Sequence, residues 1–125
     1  MKIAIMGEIH QDGWNVLENN NLESFEIFNF EENNLKKKLN EVDAVLLRTA
    51  TLSNDVLSYC KKLKIISRHG VGYDNVNLDY LNQNNIALGI TSTSNAVSVA
   101  EHVLTSFLYL SKNIHLSDKL TREGR

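Results

Sequence analysis

Proline is missing from all 125 residues, cysteine occurs once, and no apolar stretch is long enough to span a bilayer. The single cysteine, Cys60, excludes an intramolecular disulfide and argues against a cysteine-based metal site. Its neighbours Lys61 and Lys62 could lower a thiol pKa, but a small packing residue is the simpler role. Net charge is only −2, which gives no electrostatic reason to expect nucleic acid or membrane as a partner. The opening apolar run meets Gly7 and Glu8 too soon for a signal peptide, so a cytoplasmic location is expected. Without proline, turns fall to asparagine, abundant in Asn19-Asn20-Asn21 and Asn33-Asn34, because Asn tolerates turn conformations.

What is present suits an ordinary globule. Hydrophobic residues make up 42% and charged residues 22%, and the length suffices to bury a core without staples. Short β-rich runs alternate with amphipathic segments at βαβ spacing. Strands are expected over 2–6, 25–30, 44–47, 63–67 and 86–90. Helices are expected over 11–20, packing Trp14, Val16 and Leu17, over 32–39 with a solvated lysine run, after an N-cap at Ser53, and over 78–84. The pattern implies an α/β fold, a flavodoxin-like doubly wound five-stranded parallel sheet whose functional edge is the C-terminal end of its strands.

From Ala96 to about Leu120 runs the longest periodic segment, expected as a long C-terminal helix. Val99, Ala100, Val103, Leu104, Phe107, Leu108 and Ile114 form one broad stripe, while Val97, Tyr109, Leu110 and Leu116 fall elsewhere. A helix apolar on more than one face calls for neighbours on more than one side, supplied by another domain or by self-association.

The best functional clue is Ser67 to Asn77, a glycine-punctuated loop directly behind the apolar run Leu63, Ile65, Ile66. Gly70-Val71-Gly72 leaves backbone N–H groups uncovered at a strand's C-terminal end, where α/β proteins collect anions. As a dinucleotide fingerprint the loop fails twice: Asn75 holds the third glycine position, and no acidic residue lies near the end of the next strand. A carboxylate-sized anion suits it better than a pyrophosphate, and a tight turn with two permissive φ angles is the other account. A phospho-receiver domain of similar topology is excluded, since Met6-Gly7 and Arg48 stand where it needs acidic residues.

Three segments together resemble the N-terminal half of the D-isomer-specific 2-hydroxyacid dehydrogenases, particularly the phosphoglycerate dehydrogenase-like branch. They are Leu47-Arg48-Thr49-Ala50-Thr51, Arg68-His69-Gly70-Val71-Gly72-Tyr73-Asp74-Asn75-Val76 and Asn95-Ala96-Val97-Ser98-Val99-Ala100-Glu101-His102. The resemblance implies a substrate domain over 1–95, and over 96–125 a helix leading to an NAD-binding domain that this sequence does not contain. It implies that the amides of Val71 and Gly72 hold the C1 carboxylate of a small 2-hydroxy or 2-oxo acid. Arg48 would reach the other anionic end, Asn95 would line the cleft, and Val99 would approach the nicotinamide of NAD.

Each residue also has a plainer use: Arg48 as a surface ion-pair partner, Asn95 as an N-cap, Val99 as core. The family's usual Asn-Thr-Pro-Gly is Ile90-Thr91-Ser92-Thr93 here, leaving that loop less stiff, and Asn77 replaces a usual aspartate. In the family, hydride transfer uses an arginine, a glutamate and a histidine from later sequence, so no catalytic residue and no metal ligand is assigned. Glu101 and His102 are adjacent on a helix and point apart. His10 and His69 read as satisfied surface or turn histidines.

The expectation is therefore the substrate-domain portion of an NAD-dependent oxidoreductase, inactive alone, from a truncated gene product or an excised piece. The alternative is a non-catalytic binding or regulatory module that associates through its C-terminal helix.

Overall fold

The structure, a computed structural model, describes residues 1–125. Five strands form, β1 (Lys2–Met6), β2 (Glu23–Ile27), β3 (Ala44–Leu47), β4 (Ile65–Arg68) and β5 (Ala87–Ile90), the inner β1 and β3 from apolar runs and the outer β2 from the more polar Glu-Ser-Phe-Glu-Ile. All pair in parallel in the order β2-β1-β3-β4-β5. Parallel neighbours need crossovers, and helices supply them: α1 (Gln11–Asn19), α2 (Glu32–Leu39), α3 (Asn54–Leu57) and α4 (Leu78–Gln83). Two further helices follow, α5 (Ala96–Ser111) and α6 (Ile114–Arg122). The chain divides into two compact units, Met1–Thr91 and Ser92–Arg125.

Side chains alternate across each strand, so the sheet has two differently covered faces. Ala4, Met6, Val45, Leu47 and Ile66 point into the larger core with Leu35 and Leu39 of α2, Leu57 of α3 and Leu81 of α4. On the opposite face Ile3, Ile5 and Ala44 pack with Leu17 of α1, backed by Trp14 and Leu46. That second face is bare toward β4 and β5, where Ile65, Ser67 and Ala87 are exposed. Helices thus lie on both sides of the sheet, as a doubly wound fold requires.

Helix ends follow capping chemistry. Ser53 Oγ accepts from Val56 N at 3.3 Å and Asn77 Oδ1 from Tyr80 N at 3.2 Å, so a hydroxyl starts α3 and a side-chain amide starts α4. At the other ends Asn21 and Asn85 take left-handed φ angles of 52° and 55°. Leu22 N then donates to Leu17 O at 3.1 Å, and Ile86 N to Leu81 O at 2.9 Å. These are Schellman caps written with asparagine in glycine's usual place.

Four expectations need correction. β2 occupies Glu23–Ile27, earlier than 25–30, because pairing with Lys2–Met6 fixes its register and leaves Phe28 and Phe30 exposed beyond it. Val16, read as a packing residue of α1, is 60% exposed, while Leu17 carries the buried contact. The C-terminal helix is present but ends at Ser111; Asn113, at φ 48°, breaks the backbone and α6 starts afresh. Val99, for which core was the plainer reading, is 52% exposed, and no residue of α5 or α6 is buried.

Cys60 is buried and donates weakly to Val56 O at 3.4 Å; burial pushes its thiol up to about 11, away from reactivity. The packing role therefore holds. At the N-terminal end of the strands Asp43 accepts from Lys2 N at 2.9 Å and from Lys64 Nζ at 3.2 Å. These bonds, the backbone one first, hold its carboxyl below the usual value.

Candidate functional site

Strand order reverses at β1, whose neighbours are β2 on one side and β3 on the other, so the loops after β1 and β3 diverge and open a crevice. The crevice is a cavity of about 500 Å³ lined by Glu8, Ile9, His10, Gln11, Arg48 and His69. A more apolar recess of about 230 Å³ shares Ile9, His10 and His69 and adds Gly13 and Leu46. Arg48 follows β3 directly and His69 follows β4. The pairing of Leu47 with Arg68 sets the two side by side.

Arg48 is held by main chain. Its N–H donates to Met6 O at 3.2 Å and its Nη1 to Glu8 O at 3.0 Å. Gly7 permits this approach, since at φ 105° any Cβ there would stand 3.3 Å from Arg48 Cβ. The guanidinium has no carboxylate partner, and its remaining donors line the crevice. This differs from the surface ion-pair alternative.

The glycine loop is braced at both ends. His69 N donates to Leu47 O at 2.8 Å, Thr91 N to Gly70 O at 3.1 Å and Val76 N to Tyr73 O at 3.2 Å. Between those anchors the amides of Val71 and Gly72 form no intramolecular hydrogen bond, and both residues are exposed. Gly70 has φ 153°, and a Cβ on it would meet Arg68 Nη1 at 2.5 Å. Arg68 folds over this glycine, its Nη1 donating to His69 O while Nε is buried without a partner. Gly72 needs no positive φ; a Cβ there would sit 3.1 Å from Asp74 Oδ1. The two-permissive-angle turn therefore accounts for only one of the two glycines.

Asn75 ties this loop to the one after β3. Its Nδ2 donates to Ala50 O at 2.8 Å and its own carbonyl accepts from Leu52 N at 3.1 Å. Leu52 and Val76, both buried, form a parallel bridge beside it.

Of the residues expected from sequence, Arg48 faces the crevice, and Val71 and Gly72 stand on the loop that continues from its His69 wall. Asn95 and Val99 belong to the helical unit. Asn95 occupies the N-cap position of α5 but its side chain makes no cap bond; its carbonyl accepts from Val99 N at 2.9 Å.

Sequence reasoning left His10 and His69 apart, whereas the structure brings both to one cavity. His10 also caps α1, Nδ1 accepting from Asp12 N at 3.3 Å with Asp12 Oδ2 3.2 Å away. The signal was their shared position one loop beyond a strand. No three acidic, histidine or cysteine side chains gather as a metal site.

A D-3-phosphoglycerate dehydrogenase of Mycobacterium tuberculosis is 42% identical over 84 residues, covering 66% of this chain and 16% of that protein. Among solved structures, the PH0520 protein of Pyrococcus horikoshii matches with a TM-score of 0.88 at 24% identity, over 98% of this chain and 37% of its own. An NAD-dependent formate dehydrogenase of Staphylococcus aureus, in complex with NAD, matches at 0.80 and 25%, over 100% of this chain and 43% of its own. The chain thus spans less than half the length of each of these proteins. Residues 3–124 match the family described as D-isomer specific 2-hydroxyacid dehydrogenase, catalytic domain, and the chain belongs to that family.

Proposed function

We propose that this chain is the substrate-holding portion of an NAD-dependent D-2-hydroxyacid dehydrogenase, with a substrate of the 3-phosphoglycerate type. One observation carries the reading. The amides of Val71 and Gly72 have no internal partner and lie on the loop after β4 that begins at His69, a wall of the crevice that holds Arg48. Bare main-chain donors make a preorganised carboxylate site, and the planar fork of an arginine suits a phosphate or second carboxylate. The similarity to D-3-phosphoglycerate dehydrogenases supports the phosphate-bearing substrate.

In the parent reaction NAD, when bound, accepts hydride as the hydroxy acid becomes an oxo acid. The residues present here do not fit its pyrophosphate and ribose. Asn75 replaces the third glycine, Asp74 puts a carboxylate beside Gly72, and β5 ends at Ile90 and Thr91 with no acid. The chain's own chemistry is binding and orientation. The contacts implied for Asn95 with substrate and for Val99 with the nicotinamide ring are part of the same proposal. Without a hydride acceptor the chain alone turns nothing over.

Titrating ¹⁵N-labelled chain with 3-phosphoglycerate is expected to shift the Val71 and Gly72 amides saturably. Unmoved amides would sink the substrate-site reading. Turnover of NADH with 2-oxo acids by the purified chain would refute its inactivity.

A second reading has its own support. α5 exposes Val97, Val103, Leu104, Phe107, Leu108 and Leu110, a surface suited to another domain or a second copy of the chain. A monodisperse monomer in sedimentation would count against self-association.

A further inference from the structure

Resting on the anion-site reading above, we infer that Asn75 is a positioning residue that fixes the span between the Val71–Gly72 amides and Arg48, and so selects acids with two anionic ends.

The two holders lie on different loops. Arg48 opens the segment after β3, and Val71 and Gly72 lie in the segment after β4. Strand pairing aligns those segments only as far as Leu47 and Arg68, plus one bond from His69 N to Leu47 O. Beyond that point each loop could move by itself. Asn75 prevents this at the far end: its Nδ2 bonds Ala50 O at 2.8 Å, and its carbonyl takes Leu52 N at 3.1 Å. The adjacent bridge between Leu52 and Val76 buries both side chains. The two loops are therefore joined at their start and again two to four residues past Arg48, with both anion holders in the closed stretch.

The side-chain amide is oriented as well as bonded. Asn75 Oδ1 is buried without a partner, so rotating the amide would aim that oxygen at the carbonyl of Ala50 and lose the only side-chain bond. An aspartate would bring two like oxygens together there. A glycine, the residue a dinucleotide loop would carry at this position, keeps the carbonyl bond to Leu52 N but supplies no side-chain tie to Ala50. The residue that disqualifies the loop for pyrophosphate is thus the one that sets its reach to a second anionic group.

A ligand with one anionic group needs only the amides, whereas a ligand with two needs both holders at one separation. The test is the ratio of affinities of the full chain for 3-phosphoglycerate and for D-lactate, read from amide shifts, in wild type, Asn75→Ala and Asn75→Ser. In the variants the ratio is expected to fall about tenfold, on the order of one hydrogen bond to a buried group, with D-lactate binding changed less than about twofold. General destabilisation lowers both affinities by one factor and leaves the ratio alone, so an unchanged ratio overturns the role of Asn75. The serine variant guards against failure of the alanine variant to fold. If the wild-type amides of Val71 and Gly72 respond to neither ligand, the anion site itself is refuted and this inference falls with it. If they respond and the ratio survives substitution, only the inference falls.

Discussion

The two compact units use similar shares of apolar residues to opposite effect. In Met1–Thr91 the strands alternate sides and deliver Met6, Leu47 and Ile66 to a core closed by helices. In Ser92–Arg125 the apolar side chains of α5 and α6 meet no core of their own, and Phe107 and Leu110 stay 67% and 69% exposed. An apolar pattern becomes a core only where the backbone brings a second layer to it.

The sharpest way to break that comparison is truncation in each unit. Leu57→Ala should lower unfolding free energy by about 2–5 kcal/mol, because Leu57 is closed in on every side. Phe107→Ala should change it by less than about 0.5 kcal/mol while reducing any concentration-dependent association. Urea denaturation followed by circular dichroism measures both, and equal losses would show that α5 packs as a core element.

Within the sheet unit, Gly70→Ala should cost about 1–3 kcal/mol through its backbone angle alone. The added methyl also displaces Arg68, so the anion-induced shifts of Val71 and Gly72 should disappear. If they persist with full amplitude, the packing of Arg68 over Gly70 does not shape the loop.

A smaller effect appears in alkali. Burial raises Cys60 to about 11 from 9.0, so between those values the unfolded chain has released a proton that the folded chain retains. Stability should fall as pH rises through that window, and Cys60→Ala should remove this part of the slope. The helical unit contains no cysteine and contributes nothing of the kind.

The smallest effect lies in acid. Asp43 is held below its usual 3.8, so its contribution is present above that value and lost as pH falls through the lower folded value. Asp43→Asn should flatten that limb of an acid titration. An unaltered limb would mean that the bonds to Lys2 and Lys64 add nothing to stability.

The inner strands and the cap at Ser53 were legible because they rest on local chemistry, short continuous apolar runs for β1 and β3 and a hydroxyl for Ser53, whereas the side chain of Asn95 makes no cap bond. The break at Asn113 was not, since an asparagine inside a helix and one that ends it look alike in sequence. Val16, and the plainer core reading of Val99, failed for a related reason. Periodicity names a face, and only the fold says whether anything covers it. Of the proposed site residues, Arg48, Val71 and Gly72 stand out in sequence by their position after strands. The meeting of His10 with His69, and the tie from Asn75 to Ala50, depended on register between strands far apart in the chain.

The left-handed asparagines carry a thermal consequence. Asn21, Asn85 and Asn113 hold a conformation that glycine adopts with less steric cost, and the exchange is worth from a few tenths to about 1 kcal/mol at each position. Asn21→Gly and Asn85→Gly lie away from the anion loop. Together they offer a route to a melting temperature several degrees higher, on the order of 4–8 °C for each kcal/mol gained, that leaves ligand recognition untouched.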